Sequence, residues 1–205
     1  MTPEEFQAAT AVNEDTLARL RLYVDLLCKW QRRINLIGPD TVPDIWRRHI
    51  LDSAQLFPHL SPDTHRVADL GSGAGFPGLV LAVLGAADVH LIESDQRKAA
   101  FLREAARVTG TAVTIHAARA EAVPPLTAQV VTARALASLE LLLPLASRHL
   151  APGGRCLFLK GRGVEDELTT ARKEWIITSD RIPSQSDPSG FILELREVRR
   201  GRPER

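Results

Sequence analysis

Apolar positions recur at helical spacing in the first third of the chain and in strand-like runs afterwards. Leu17, Leu20, Tyr23, Val24, Leu27 and Cys28 fall three and four apart, which marks one buried helix face. Upstream, Thr2-Pro-Glu-Glu5 reads as an N-cap, a proline at the first helical position and an acidic first turn. Gly38-Pro-Asp interrupts the pattern, and a further helix is expected over 42–57. Arg48 and Asp52 are four apart there, just within reach of an intrahelical pair. Ser61-Pro-Asp-Thr reads as a linker.

Beyond it, strand and helix patterns alternate. Strands are expected at 66–70, 88–93, 113–117, 129–134 and 155–160. Helices are expected at 77–84, 96–108, 139–150 and 164–173, with a turn at 151–154. Segment 175–198 reads as two strands around a Pro/Ser/Gly-rich loop at 183–190. No helix separates them, so they should pair antiparallel. The alternation predicts an α/β fold with a mostly parallel, Rossmann-like sheet over 61–205 and an antiparallel last strand. A helical N-terminal extension over 1–60 precedes it.

At 205 residues, 44% hydrophobic and 25% charged, the chain matches an ordinary soluble domain with a full core. A net charge of +1 does not mark a nucleic-acid binder. Basic residues do cluster: Lys29, Arg32 and Arg33; Arg47, Arg48 and His49; Lys160 and Arg162; and Arg199-Arg-Gly-Arg202. A modest net charge can hide a basic face, although each cluster alone equally fits a solvated surface. Cys28 and Cys156 fit neither metal spacing nor a disulfide framework, and both lie in apolar patterns. No basic-then-apolar leader and no run of about 20 apolar residues is present. A cytoplasmic protein without metal or membrane partner is expected.

The chemistry concentrates in Val67-Ala-Asp-Leu-Gly-Ser-Gly-Ala-Gly-Phe-Pro-Gly78. A strand carrying Asp69 breaks into a glycine turn that opens a helix. Such a junction lets a ligand approach the backbone closely and offers helix-start amides. A dinucleotide fingerprint wants a small third residue, and Phe76 stands there. No Gly-Lys-Ser/Thr follows, which excludes a P-loop. Gly71, Gly73 and Gly75 alternate instead, the pattern of class I S-adenosylmethionine-dependent methyltransferases. Glu93 ends the second strand, 22 residues after Gly71, where a carboxylate can accept both ribose hydroxyls. Asp69 alternatively caps the turn. Ala120 and Glu121 fall where such folds contact adenine, and Glu121 is equally a solvated acid.

Several further segments matter together. They are Trp30-Gln-Arg-Arg-Ile-Asn-Leu36, Arg48-His-Ile-Leu-Asp-Ser53, the glycine loop, Glu93-Ser-x-x-x-Lys98 with Phe101-Leu102, Arg134-Ala-Leu-Ala-Ser-Leu139 and Leu159-Lys-Gly161. In this order they closely resemble the bacterial 16S rRNA guanine-N7 methyltransferase family, also called the glucose-inhibited division protein B family. The resemblance runs from about 22 to 161. It implies a class I methyltransferase with a helical N-terminal extension, acting on N7 of the guanosine at 16S rRNA position 527. It implies 16S rRNA, the small ribosomal subunit or its precursor as partner, and S-adenosylmethionine against Gly71, Phe76, Ala120, Glu121 and Arg134. Ile37 departs from the family pattern, where Thr or Ser usually follows Asn-Leu.

The chemistry agrees. Guanine N7 is a bare lone pair, so attack on a sulfonium methyl needs proximity and alignment more than a base. After the fourth strand the run is Thr132-Ala-Arg-Ala135, not the Asn-Pro-Pro-aromatic of exocyclic amine methylation. Cys28 and Cys156 sit in regular elements, unlike the loop nucleophile of cytosine-C5 methylation. Arg134 and Lys160, at strand ends, are the candidate catalytic residues. Arg134 is expected on the cofactor carboxylate or an RNA phosphate, since a donor on N7 would occupy the attacking lone pair. Lys160 is expected on a phosphate or base, or is a plain surface lysine. Asn35, Arg48, His49 and Lys160 are the candidate RNA-side residues, with His49 more in keeping with packing than with base catalysis. Two other readings remain open on the residues alone: a class I methyltransferase for another substrate, and a non-catalytic RNA-binding module.

Overall fold

A computed structural model describes residues 1–201; Arg202 of the basic tail and the end of the 61–205 segment lie outside the described residues. Helix α1 (Pro3–Thr10) starts with the expected capping box: the Glu5 amide donates to Thr2 Oγ1 at 3.2 Å and the Thr2 amide to Glu5 Oε2 at 2.8 Å. Helix α2 (Glu14–Gln31) is capped by Asn13 and buries Leu17, Leu20, Tyr23, Val24 and Leu27, the predicted stripe. Cys28 at its edge is only partly buried.

The single helix expected over 42–57 is instead a composite. A 3-10 turn (Pro39–Asp44) leads into a π-helical segment (Trp46–Leu51), then α3 (Asp52–Ala54) and a 3-10 turn (Phe57–His59). Pro43 lacks the amide a regular helix needs. The widened i→i+5 turn also breaks the four-residue alignment on one face. Arg48 and Asp52 therefore do not pair with each other; each reaches a different part of the chain.

From there the predicted alternation holds. The elements are β1 (Val67–Leu70), α4 (Gly78–Val83), β2 (Val89–Ile92), α5 (Gln96–Thr109), β3 (Thr114–His116), β4 (Ala128–Arg134), α6 (Leu139–His149), β5 (Leu150–Lys160), α7 (Val164–Ala171), β6 (Trp175–Pro183) and β7 (Phe191–Arg200). Among the described residues they form a seven-stranded sheet in the order β3-β2-β1-β4-β5-β7-β6. β1 to β5 run parallel, and β7 inserts antiparallel between β5 and β6.

The turn expected at 151–154 lies inside β5. Ala128 pairs with Leu150 and Val130 with Arg155, so residues 151–154 bulge out opposite Gln129. Gly153, at φ 73°, supplies the left-handed residue the bulge needs.

Adjacent strand residues feed opposite faces: Val130 joins one apolar cluster and Val131 the other. Leu79, Val80 and Phe101 from α4 and α5 cover the first face, together with Phe6, Leu20, Tyr23 and Leu27 from α1 and α2. Leu142, Leu143 and Leu168 from α6 and α7 cover the second. The N-terminal helices are thus seated on the sheet's own core.

Candidate active site

The carboxyl ends of β1, β2, β4 and β5 meet at one edge of the sheet, the usual ligand edge of an open α/β fold. Asp69 organises that edge from below. It is fully buried, with Oδ1 accepting from Thr132 Oγ1 at 2.8 Å and Oδ2 from the Gly78 amide at 3.1 Å. Burial raises its pKa to about 6 against the pull of these hydrogen bonds. Its carboxylate accepts from the loop's Gly78 amide and lines neither of the two cavities at this edge, so its place is that of a support for the loop.

Gly71 turns at φ 64°, and a Cβ there would lie 2.4 Å from Leu136 Cδ1. Gly75 is held from beneath by Tyr23, whose hydroxyl donates to the Ala74 carbonyl. Glu93 closes the far side: Oε2 accepts the Gly73 amide at 2.8 Å and Oε1 the Asp95 amide at 2.7 Å. A cavity of about 330 Å³ opens there, lined by Gly71, Gly73, Glu93, Ala120, Glu121 and Arg134. His149 stiffens its wall, with Nε2 3.0 Å from the Ala120 carbonyl. The cradle fits an adenosyl ligand: backbone free of Cβ at Gly73, a carboxylate with further lone pairs for ribose, and a volume within the range of small-ligand sites.

A second cavity, about 680 Å³, lies on the other side of Arg134. It is lined by Ile37, Arg48, His49, Asp52, Lys160 and residues of the β6–β7 loop, among others. Arg134, Ala135 and Leu136 border both cavities. The Arg134 guanidinium lies over the Phe76 ring, 4.7 Å from its centroid, and donates to the Arg48 carbonyl at 3.2 Å. It stands 3.4 Å from Asp52 Oδ2, which opposes the burial that lowers its pKa.

His49 stacks on Phe76 with ring centroids 5.0 Å apart. Thr41 Oγ1 donates to the Gly38 carbonyl at 2.6 Å, so at 2.7 Å it must accept from His49 Nε2–H. That fixes the tautomer and leaves Nδ1 a bare acceptor without a partner among the described residues. Burial, then Arg134 and Arg48, pull its pKa down to about 3. The ring is neutral at pH 7 and too weak a base to take protons there. Lys160 donates to the Ala137 carbonyl at 2.8 Å and to Glu167 Oε2 at 2.7 Å, and so pins the loop after β4.

Of the sequence-predicted residues, Gly71, Gly73, Glu93, Ala120, Glu121 and Arg134 come together around the smaller cavity, and Arg48, His49 and Lys160 around the larger. Asp69, Gly75 and Phe76 stand behind the walls. Asn35 is exposed on the outside, 3.5 Å from Gln31 and off both cavities. Sequence reasoning missed Tyr23 and the loop residues Ser184, Ser186 and Asp187. A tyrosine inside an apolar stripe signals a hydroxyl that needs a buried partner; the loop residues carry no comparable signal.

The family model for rRNA small subunit methyltransferase G matches residues 16–187. The chain is 66% identical to ribosomal RNA small subunit methyltransferase G of Paramagnetospirillum magneticum, over 98% of both chains. It is 58% identical to the protein of that name from Rhodospirillum centenum, over 95% of this chain and 90% of that one. Its fold is similar to that of a SAM-dependent O-methyltransferase of Thermotoga maritima, with TM-score 0.57 and 16% identity over 89% of this chain and 73% of that one. It is also similar to a T. thermophilus 16S rRNA N2 methyltransferase solved with AdoMet and guanosine, with TM-score 0.54 and 19% identity over 74% of this chain and 40% of that one.

Proposed function

The chain belongs to the rRNA small subunit methyltransferase G family and uses S-adenosylmethionine to methylate rRNA; on that premise we propose that the acceptor is N7 of a guanosine in 16S rRNA, position 527. The substrate is the small subunit or its precursor, and the protein acts in the cytoplasm. One observation carries this reading: the adenosyl-type cavity and the larger cavity share the wall Arg134–Ala135–Leu136, and the His49 imidazole beside it is not poised to take a proton. His49 is neutral and weakly basic, Asp52 is engaged by Arg134, and Lys160 by Glu167.

N7 attack suits such a site. Held against Gly71, Gly73 and Glu93, S-adenosylmethionine would supply the methyl group to the N7 lone pair, with the electrons of the broken bond left on sulfur. No proton leaves the base. The protein therefore acts by holding two partners in line. Glu93 and the Cβ-free turn at Gly71 and Gly73 hold the nucleoside part, Asp69 and Tyr23 fix the loop, and Arg134 sets the passage between cavities. Exposed Lys29, Arg32, Arg33 and Arg47 supply phosphate contacts at the N-terminal side.

Incubation with methyl-labelled S-adenosylmethionine and unmodified small subunits tests this. Digestion of the RNA should yield labelled 7-methylguanosine at one site. Label on another atom of the base overturns the assignment.

A further inference from the structure

Three carboxylates line the acceptor cavity; Glu167 is held by Lys160, which leaves Asp52 and Asp187 to account for. Methyl transfer to N7 gives neither a proton to remove, and both would repel RNA phosphates. Their presence calls for a partner that brings hydrogen-bond donors. Asp52 is engaged within the protein: Oδ1 accepts from Ser186 Oγ at 2.5 Å and Gln55 Nε2 at 3.1 Å, and Oδ2 faces Arg134.

Asp187 is different. Its Oδ1 accepts from the Ser189 amide and hydroxyl, both at 2.8 Å, which fixes the direction of the carboxylate and holds its pKa below the usual range. Its Oδ2 has one long contact, 3.5 Å to Arg48 Nη1. The loop carrying it is braced. Ser184 Oγ receives the Ser186 and Asp187 amides at 3.2 and 3.3 Å, and Gln55 Oε1 receives the Gln185 amide at 2.8 Å. Arg48 and Asp187 are 48% and 37% exposed, and an open pair at this distance adds little to stability. The side chains are held at the cavity without being consumed by the fold.

The Watson–Crick edge of guanine offers an acceptor, O6, followed by two donors, N1–H and the exocyclic amine. Its complement is one donor beside two acceptor lone pairs, which the Oδ2 oxygen left open by Ser189 can supply. A guanidinium N–H beside a carboxylate has that pattern. Adenine presents an amine and a bare N1 there, mismatched at both places. We propose that Arg48 and Asp187 read the Watson–Crick edge of the acceptor guanine, Arg48 donating to O6 and Asp187 accepting from N1–H and the amine. This rests on the guanine-N7 reading and deepens it. N1–H and the amine lie across the purine from N7, and O6 is met from its N1 side, so this contact selects guanine and leaves the attacking lone pair free. An arginine on O6 and N7 would not.

The test compares 16S rRNA carrying guanosine or inosine at the acceptor position, in small subunits, with wild-type protein and Asp187→Asn. Inosine keeps O6, N1–H and N7 but lacks the amine. Wild type should favour guanosine over inosine in kcat/KM by roughly tenfold or more. Asp187→Asn should lower kcat/KM on guanosine by a similar factor and bring the guanosine-to-inosine ratio near one. Its S-adenosylmethionine affinity, read by calorimetry, should be unchanged, which shows an intact fold. A ratio in Asp187→Asn equal to that of wild type overturns the inference while the guanine-N7 reading stands. Label on an atom other than N7 in both substrates overturns that reading and this inference with it.

Discussion

The guanidinium of Arg134 lies over the ring of Phe76, 4.7 Å from its centroid, and His49 packs on the same phenyl group with centroids 5.0 Å apart. A residue of the glycine loop thereby orients the arginine that borders both cavities. Lysine has no planar face to stack and no fork to reach the Arg48 carbonyl and Asp52 together. Arg134→Lys should lose about 1–2 kcal/mol of this positioning. Steady-state methylation should show kcat/KM falling roughly tenfold, with S-adenosylmethionine affinity changed less than kcat.

Two glycines of the same loop should respond oppositely. A Cβ at Gly78 would lie 2.5 Å from Leu91 Cδ2 and 2.6 Å from Asp69 Cβ, inside the core. Gly78→Ala should therefore destabilise by about 2 kcal/mol, lowering Tm by about 4–8 °C. At Gly73 the nearest atom is 3.8 Å away, but φ is 56° and the residue lines the smaller cavity. Gly73→Ala should carry only about 1 kcal/mol of backbone strain and show its larger effect in calorimetric cofactor affinity.

The buried Asp69 makes stability depend on pH with an unusual sign. Its pKa of about 6 in the fold lies above the unfolded value of 3.8. Between pH 4 and 6 the folded state binds the extra proton, so this group's contribution falls as pH rises through that window. His49 has the reverse sign: its folded pKa of about 3 lies below 6.5, and its contribution falls as pH drops through that range. A raw profile mixes the two, so the comparison is Asp69→Asn against wild type by urea unfolding. The variant should gain on wild type by about 2–3 kcal/mol from pH 4 to pH 7. A constant difference would refute the burial of an ionised Asp69.

Arg32, Arg33 and Arg47 are exposed on the N-terminal side. If they contact phosphates, replacing each with Gln should weaken RNA binding similarly for all sequences and reduce the salt slope by about one. Filter binding between 50 and 200 mM salt reads both. Arg48, assigned to a base edge, should change the guanosine preference more than the slope.

The strands and the glycine loop were legible in the chain because their signals are local. Val67, Val89 and Val130 lie in apolar runs bounded by turn residues, and Asp69, Gly71 and Glu93 keep a fixed spacing around one strand–turn–helix unit. The composite helix over 39–59 and the bulge at 151–154 were not legible as such. Pro43 and Pro152-Gly-Gly154 announce a break, but only packing on the sheet decides whether the chain ends an element there or continues through a distortion. The Arg48–Asp52 pair that the spacing allows does not form for the same reason: helical spacing assumes a regular helix, and this segment is π-helical. Asn35 belongs to a diagnostic segment yet faces away from both cavities, while its neighbours Leu36 and Ile37 line the larger one.

By itself, then, the sequence determined the alternation of strands and helices, the glycine loop with Glu93 at its fixed spacing, and the family, since each is written in spacing along the chain. The tertiary structure decided which side chains face one another across it. Arg48 meets Asp187 across 139 positions, Tyr23 meets Ala74 across 51, and Arg134 meets Asp52 across 82. Such contacts are closed by burial of the two apolar clusters, a collective property that no local window of sequence contains.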